Sequence, residues 1–213
     1  MKKHALKMFS MILFVVMAFS TNVFAADVNS DHGNFFDEVS NYEKSGIVIK
    51  TTKEERDQQF NRAMQQIMSK IEEDESGTKG PKYHYKTEYL SYKYKTVGGY
   101  AGNQNAGGYR FQTGGGFWYS DSGGPSVSGS ISLSFPAPFN VIQFSVSLGN
   151  KSSSGQFVTV PNTTDYFKLY VSKKMEIRPY AVYRAKSGTQ NWELYSVGGV
   201  PVTYSVNAYA KKV

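Results

Sequence analysis

The sequence predicts a mainly β chain: an antiparallel β-sandwich of about eight strands preceded by one amphipathic α-helix. Three observations carry that expectation. Apolar residues recur with a period of two in short runs between Tyr83 and Val213, and Gly, Pro and Asn punctuate the runs. One stretch only, residues 53–75, has helical spacing instead. The composition also changes abruptly near residue 80, from acidic and tyrosine-poor to basic and tyrosine-rich.

The chain begins with Lys2, Lys3 and Lys7, continues with an apolar run from Met8 to Phe19, and reaches Val23-Phe24-Ala25. A basic start, an apolar core shorter than the ~20 residues of a spanning helix and a small residue, Ala25, at the cut describe an export signal over 1–25. The mature chain is therefore expected to be secreted and extracellular. It contains no cysteine, so neither disulfides nor thiolate metal sites can hold it together outside the cell.

Residues 26–80 form an acidic segment with 7 basic and 12 acidic side chains, net −5, whereas residues 81–213 carry 14 and 5, net +9. Gly46 to Ile49 reads as a short strand. Thr52-Lys53-Glu54-Glu55 has capping-box form, which starts a helix at about 53. Phe60, Met64, Ile67 and Ile71 then make one narrow apolar stripe, to be covered by the β domain or by a second copy, which would give a homodimer through the helix. Residues 72–75 are all acids at the negative end of the helix dipole, so the helix should end there, with a hinge from Ser76 to Pro81.

In the basic, tyrosine-rich domain 81–213, Tyr83, Tyr85 and Tyr89 share one phase and Leu90, Tyr92 and Tyr94 the other, which predicts a bulge or bend between them. Residues 98–124 are rich in glycine and aromatics, fitting either glycine-rich strands or a mobile loop. Further strands are expected at 157–160, 165–172, 175–184 with Pro179 at an edge or bulge, around Trp192 and Leu194, and at 200–209 after a Gly198-Gly199 turn.

The most regular stretch is 126–148. Val127, Ile131, Leu133 and Phe135 alternate with serines, and after Pro136-Ala137-Pro138 the residues Ile142, Phe144, Val146 and Leu148 alternate with Gln143, Ser145 and Ser147. This is a hairpin with one dry and one wet face. Its two arms of about ten residues match the ~9–11 of a membrane-spanning strand. In that respect the stretch resembles the insertion hairpins of aerolysin-type β-pore-forming toxins, and the resemblance implies serines facing water and Val, Ile, Leu and Phe facing lipid.

Catalytic chemistry is poorly represented. Ser120-Asp121-Ser122-Gly123-Gly124-Pro125 resembles the nucleophile motif of chymotrypsin-like serine proteases, with Ser120 in place of glycine. The resemblance would make Ser122 a nucleophile, yet His84 lies only 38 residues upstream, too few for that family's two barrels. With two mature histidines and scattered carboxylates, the expectation is no enzyme, no catalytic residue, no metal and no cofactor.

What remains is surface chemistry. Sixteen tyrosines interleave with lysine and arginine, and Tyr109, Arg110, Phe117, Trp118 and Tyr119 form the densest group, the candidate ligand-binding residues. The leading expectation is a non-enzymatic binding module for an anionic wall polymer, a carbohydrate or a lipid surface, with no nucleic acid partner. A membrane-active protein using hairpin 126–148 is the alternative, and a structural protein dimerising through its helix is the third reading.

Overall fold

A computed structural model describes residues 46–76, 80–122, 127–139 and 141–213. The predicted signal and the acidic lead up to residue 45 lie outside the described residues, as does the centre of the predicted hinge, 77–79. In chain order the elements are β1 (Ile47–Lys50), α1 (Lys53–Ser76), β2 (Tyr83–Tyr89), β3 (Lys93–Tyr100), β4 (Gly116–Ser120), β5 (Ser128–Ser134), β6 (Val141–Ser147), β7 (Asn150–Ser152), β8 (Gln156–Thr159), β9 (Phe167–Lys186) and β10 (Glu193–Lys212). Among the described residues the fold is mainly β with one helix, and every strand pairing among these elements is antiparallel.

β9 and β10, each 20 residues long, form the spine. The two strands expected at 165–172 and 175–184 are one, because Phe167, Leu169, Val171, Met175, Ile177 and Ala181 keep a single face and are all buried. Pro179 lies inside it. Its carbonyl accepts the Leu90 amide at 3.2 Å on the edge away from β10. The N and O of one strand residue point to the same side, so the missing N–H faces that edge too, where the neighbouring strand is interrupted between Tyr89 and Lys93. The expected bend near Tyr89 is therefore the break between β2 and β3, which pair with the two halves of β9.

Gly198-Gly199, expected as a turn, is mid-strand in β10 opposite Tyr180 and Pro179. A Cβ on Gly198 would meet the Tyr180 hydroxyl at 2.5 Å, and one on Gly199 would meet the Phe144 ring at 2.8 Å. The two glycines admit rings from opposite faces of the sheet. The real turn is at Gly188, whose φ of 84° suits glycine.

The large sheet, ordered β1-β10-β9 with β2 and β3 sharing the outer edge of β9, has two dressed faces. On one face lie two small sheets that, among the described residues, form no ladder with it: β7-β4-β8 and the hairpin β5-β6. The first packs Phe117, Tyr119, Val158 and Val160 onto Phe167, Leu169 and Val171. The predicted sandwich thus has a second layer split in two.

The opposite face carries α1. Its box is formed as expected: the Thr52 amide donates to Glu55 Oε2 at 2.7 Å, and the Glu55 amide donates to Thr52 Oγ1 at 3.1 Å. Phe60, Met64 and Ile71 are buried against Tyr180, Val182, Val200 and Val202, so the apolar stripe is covered within the chain.

Candidate functional site

Two regions gather the chemistry. The first is the hairpin. Its register sets Gly129 opposite Val146, Ile131 opposite Phe144 and Leu133 opposite Ile142, so the dry residues pair with one another across the ladder. On the other face Ser130 pairs with Ser145 and Ser132 with Gln143, all exposed. Ile131, Val146, Phe135 and Phe139 are buried against Met175, Ile177 and Ala181, with Leu133, Ile142 and Phe144 half-buried beside them. Leu148 is buried, while Val127 is exposed. Each arm is a seven-residue strand, extended by one bond from the Leu148 amide to the Val127 carbonyl at 2.8 Å.

Side chains hold the hairpin to the sheet. Four fully buried apolar side chains at ~1.5–3 kcal/mol each make the docking a matter of several kcal/mol. Two glycines permit the close approach: a Cβ on Gly129 would lie 3.6 Å from Val97 Cβ, and Gly199 lies under the Phe144 ring. At the tip, Lys93 Nζ donates to the Ser134 carbonyl at 2.8 Å and sits 4.6 Å from the centre of the Phe135 ring. At the root, Asp121 pairs with Lys173, a lysine whose side chain is only 4% exposed. The same carboxylate accepts the Tyr119 hydroxyl at 3.1 Å, and burial first, then the Asp121 charge, pushes the pKa of that phenol far up.

The protease-like motif begins beside the same carboxylate. Ser120 Oγ donates to the Ser122 carbonyl, and His84 stacks edge-on against Trp192. His84 pairs with Ala185, twelve residues along β9 from Lys173, a separation of ~40 Å at ~3.3 Å per residue. Gly123 to Pro125 lie outside the described residues.

The second region lies on the opposite face, where the first turn of α1 meets β9 and the β2–β3 break. Glu176 is buried, and Arg56 Nε (3.0 Å), Arg178 Nε (2.6 Å) and the Tyr94 hydroxyl (3.2 Å) all donate to it. Sequence periodicity puts Arg56 on the wet side of the helix, yet the buried carboxylate draws it inward until its side chain is 12% exposed. Arg178 also reaches Asp57 at 2.7 Å. These groups, with Lys53, Phe60, Tyr89, Leu90 and Tyr92, line a cavity of about 270 Å³.

The Asp57 carboxyl is held below its usual range, first by the hydrogen bond from Lys53 and then by that from Arg178. A depressed carboxylate stabilises the fold above its unfolded-state pKa and loses that contribution as pH falls through the folded-state value. Asp57→Asn is therefore expected to melt below the wild type at neutral pH, with the gap closing in thermal melts as the pH falls through the depressed folded-state value.

The five predicted ligand-binding residues are not brought to one surface. Phe117 and Tyr119 are buried in the core, Tyr109 is half-buried with its amide on the Phe167 carbonyl, and Arg110 Nε donates to the Thr163 carbonyl. Trp118 alone is an exposed ring, tilted over Phe157 at 5.0 Å. Alternation along β4 makes this division, since only one residue in two can face water. The glycine-rich loop before it is pinned: the Gln104 side chain bonds the Ala101 carbonyl and both backbone groups of Leu169.

Sequence reading missed the lysine-tyrosine pattern on the face that bears α1. Lys168, Tyr170 and Lys174 on β9, and Tyr209 and Lys211 on β10, sit at even spacings that a search for period two in tyrosine and lysine would have found. Among the described residues no helix is long and apolar enough to cross a membrane. Comparison with family models, curated proteins and solved structures finds no match for the chain.

Proposed function

We propose that the chain is an exported, non-enzymatic, membrane-active protein whose working part is the β5–β6 hairpin. The observation that carries this reading is that a two-faced hairpin lies on the sheet by side-chain packing and forms no ladder with it. Lifting it off breaks no strand pairing, and a bilayer offers its dry face the same cover that the sheet does. Its ladder is shorter than a bilayer requires, but residues 126–135 and 139–148 supply the ~9–11 per arm once the tip residues join the strands. The serine and glutamine face would then line water, as the likeness to aerolysin-type hairpins implies.

Dye-loaded vesicles of several lipid compositions test the reading. Leakage at micromolar protein is expected. The chain has no cysteine, so single cysteines at Ser132 and Leu133 can each carry an environment-sensitive dye. On vesicles the dye at 133 should report lipid and the dye at 132 water. Intact vesicles in every composition, or matching signals at the two positions, would refute the proposal.

A further inference from the structure

On the face of the large sheet that carries α1, cations stand over aromatic rings in a continuous series. Arg178 lies 5.1 Å from the Phe60 ring and 5.9 Å from Tyr92, and Arg56 lies 4.7 Å from Tyr204. Next along β9, Lys174 is 4.6 Å from Tyr94 and 4.7 Å from Tyr204. Lys168 then sits 4.5 Å from Tyr100, and Lys211 sits 4.9 Å from Tyr170. From Lys168 to Arg178 is ten residues, a lane ~33 Å long.

The charges along this lane are unbalanced. Among the described residues Lys168, Lys174 and Lys211 have no carboxylate partner. Arg56 and Arg178 pair with Glu176 and Asp57, and with Lys53 they make three cations against two carboxylates in the lining of the cavity. The two carboxylates are neutralised, and the site as a whole remains cationic. A Lys held against a ring is fixed in place, so an oxyanion arriving there meets an ordered donor.

We infer that this lane, with the cavity at its end, is a binding site for an acidic polysaccharide. Sugar rings present flat apolar faces and hydroxyl edges that suit tyrosine, and their sulfates or carboxylates suit the lysines. The cavity takes the unit at the end of the chain, between the arginines and the Tyr89 and Tyr92 rings. A planar anionic bilayer fits less well. It would have to approach past the acids on the outer side of α1, Glu72 to Asp74 among them, all exposed, whereas a single polymer strand needs only the lane.

Heparin oligosaccharides are the probe, with neutral dextran and phosphatidylglycerol vesicles as comparisons, measured by calorimetry on the full chain at two salt concentrations. The expected result is heparin binding that weakens with salt and no dextran binding. Replacing Lys168, Lys174 and Lys211 together by Gln should weaken it about tenfold or more, with the melting temperature held. Replacing Lys82, Lys151 and Lys186, which lie off the lane, should leave it within about twofold. Equal losses in the two triple variants, no heparin binding, or vesicle binding lost in the lane variant while heparin binding stays would each overturn the inference. Leakage from vesicles free of saccharide should be the same in wild type and lane variant, which separates this site from the hairpin.

Discussion

Joining the hairpin to the sheet should abolish leakage. In the double variant Val97→Cys, Gly129→Cys the two Cβ atoms would stand 3.6 Å apart, inside the ~3.5–4.5 Å that a disulfide spans. Gly129 has ordinary strand backbone, so a side chain is tolerated there, and truncating Val97 removes the methyl that would otherwise collide with it. No native cysteine competes for the pairing. Oxidised, the variant is expected to leak at the background rate; a reductant should restore wild-type leakage. The bond closes a loop from 97 to 129, so in the chain-entropy picture it should also raise stability by about 3 to 4 kcal/mol, which denaturant titration measures. Oxidised protein that leaks as fast as reduced would show that the hairpin never has to leave its bed.

The second large effect is expected at the root of that hairpin. Asp121→Asn leaves the ammonium of Lys173 buried without its carboxylate, and removing one member of such a pair costs about 3 kcal/mol or more. Lys173→Met should cost far less, because Asp121 is half exposed and water can take over its solvation. Urea titrations of both variants check the asymmetry. If Asp121→Asn were the milder of the two, the pair would not be what ties the entry of β5 to β9.

Much of the layout is legible in the residues themselves. The capping box at Thr52 and Glu55 specifies its own geometry locally, and the stripe from Phe60 to Ile71 needs only a partner surface, so helix and seam follow from spacing. The alternation from Ile131 to Leu148 likewise states which side is dry, whereas Val127, expected on the same face, is exposed. Elsewhere the deciding neighbours are distant in sequence. Gly198-Gly199 has the composition of a turn and becomes strand because the Tyr180 and Phe144 rings need the room. Pro179 looks like an edge marker, yet it is internal because residues ninety positions earlier leave a gap beside it. Phe117 to Tyr119 looks like one aromatic patch until the strand's alternation sends two rings inward. Arg56 turns from water to a carboxylate 120 residues away.

The packing of β5–β6 also has a consequence for the part left behind. Met175, Ile177 and Ala181 are dry only while the hairpin covers them. Unlatching it in water would wet two greasy surfaces simultaneously, and lipid can shelter just one of them. The vacated berth must then find a tenant of its own, so a molecule that has opened should be short-lived when solitary and should persist only in company.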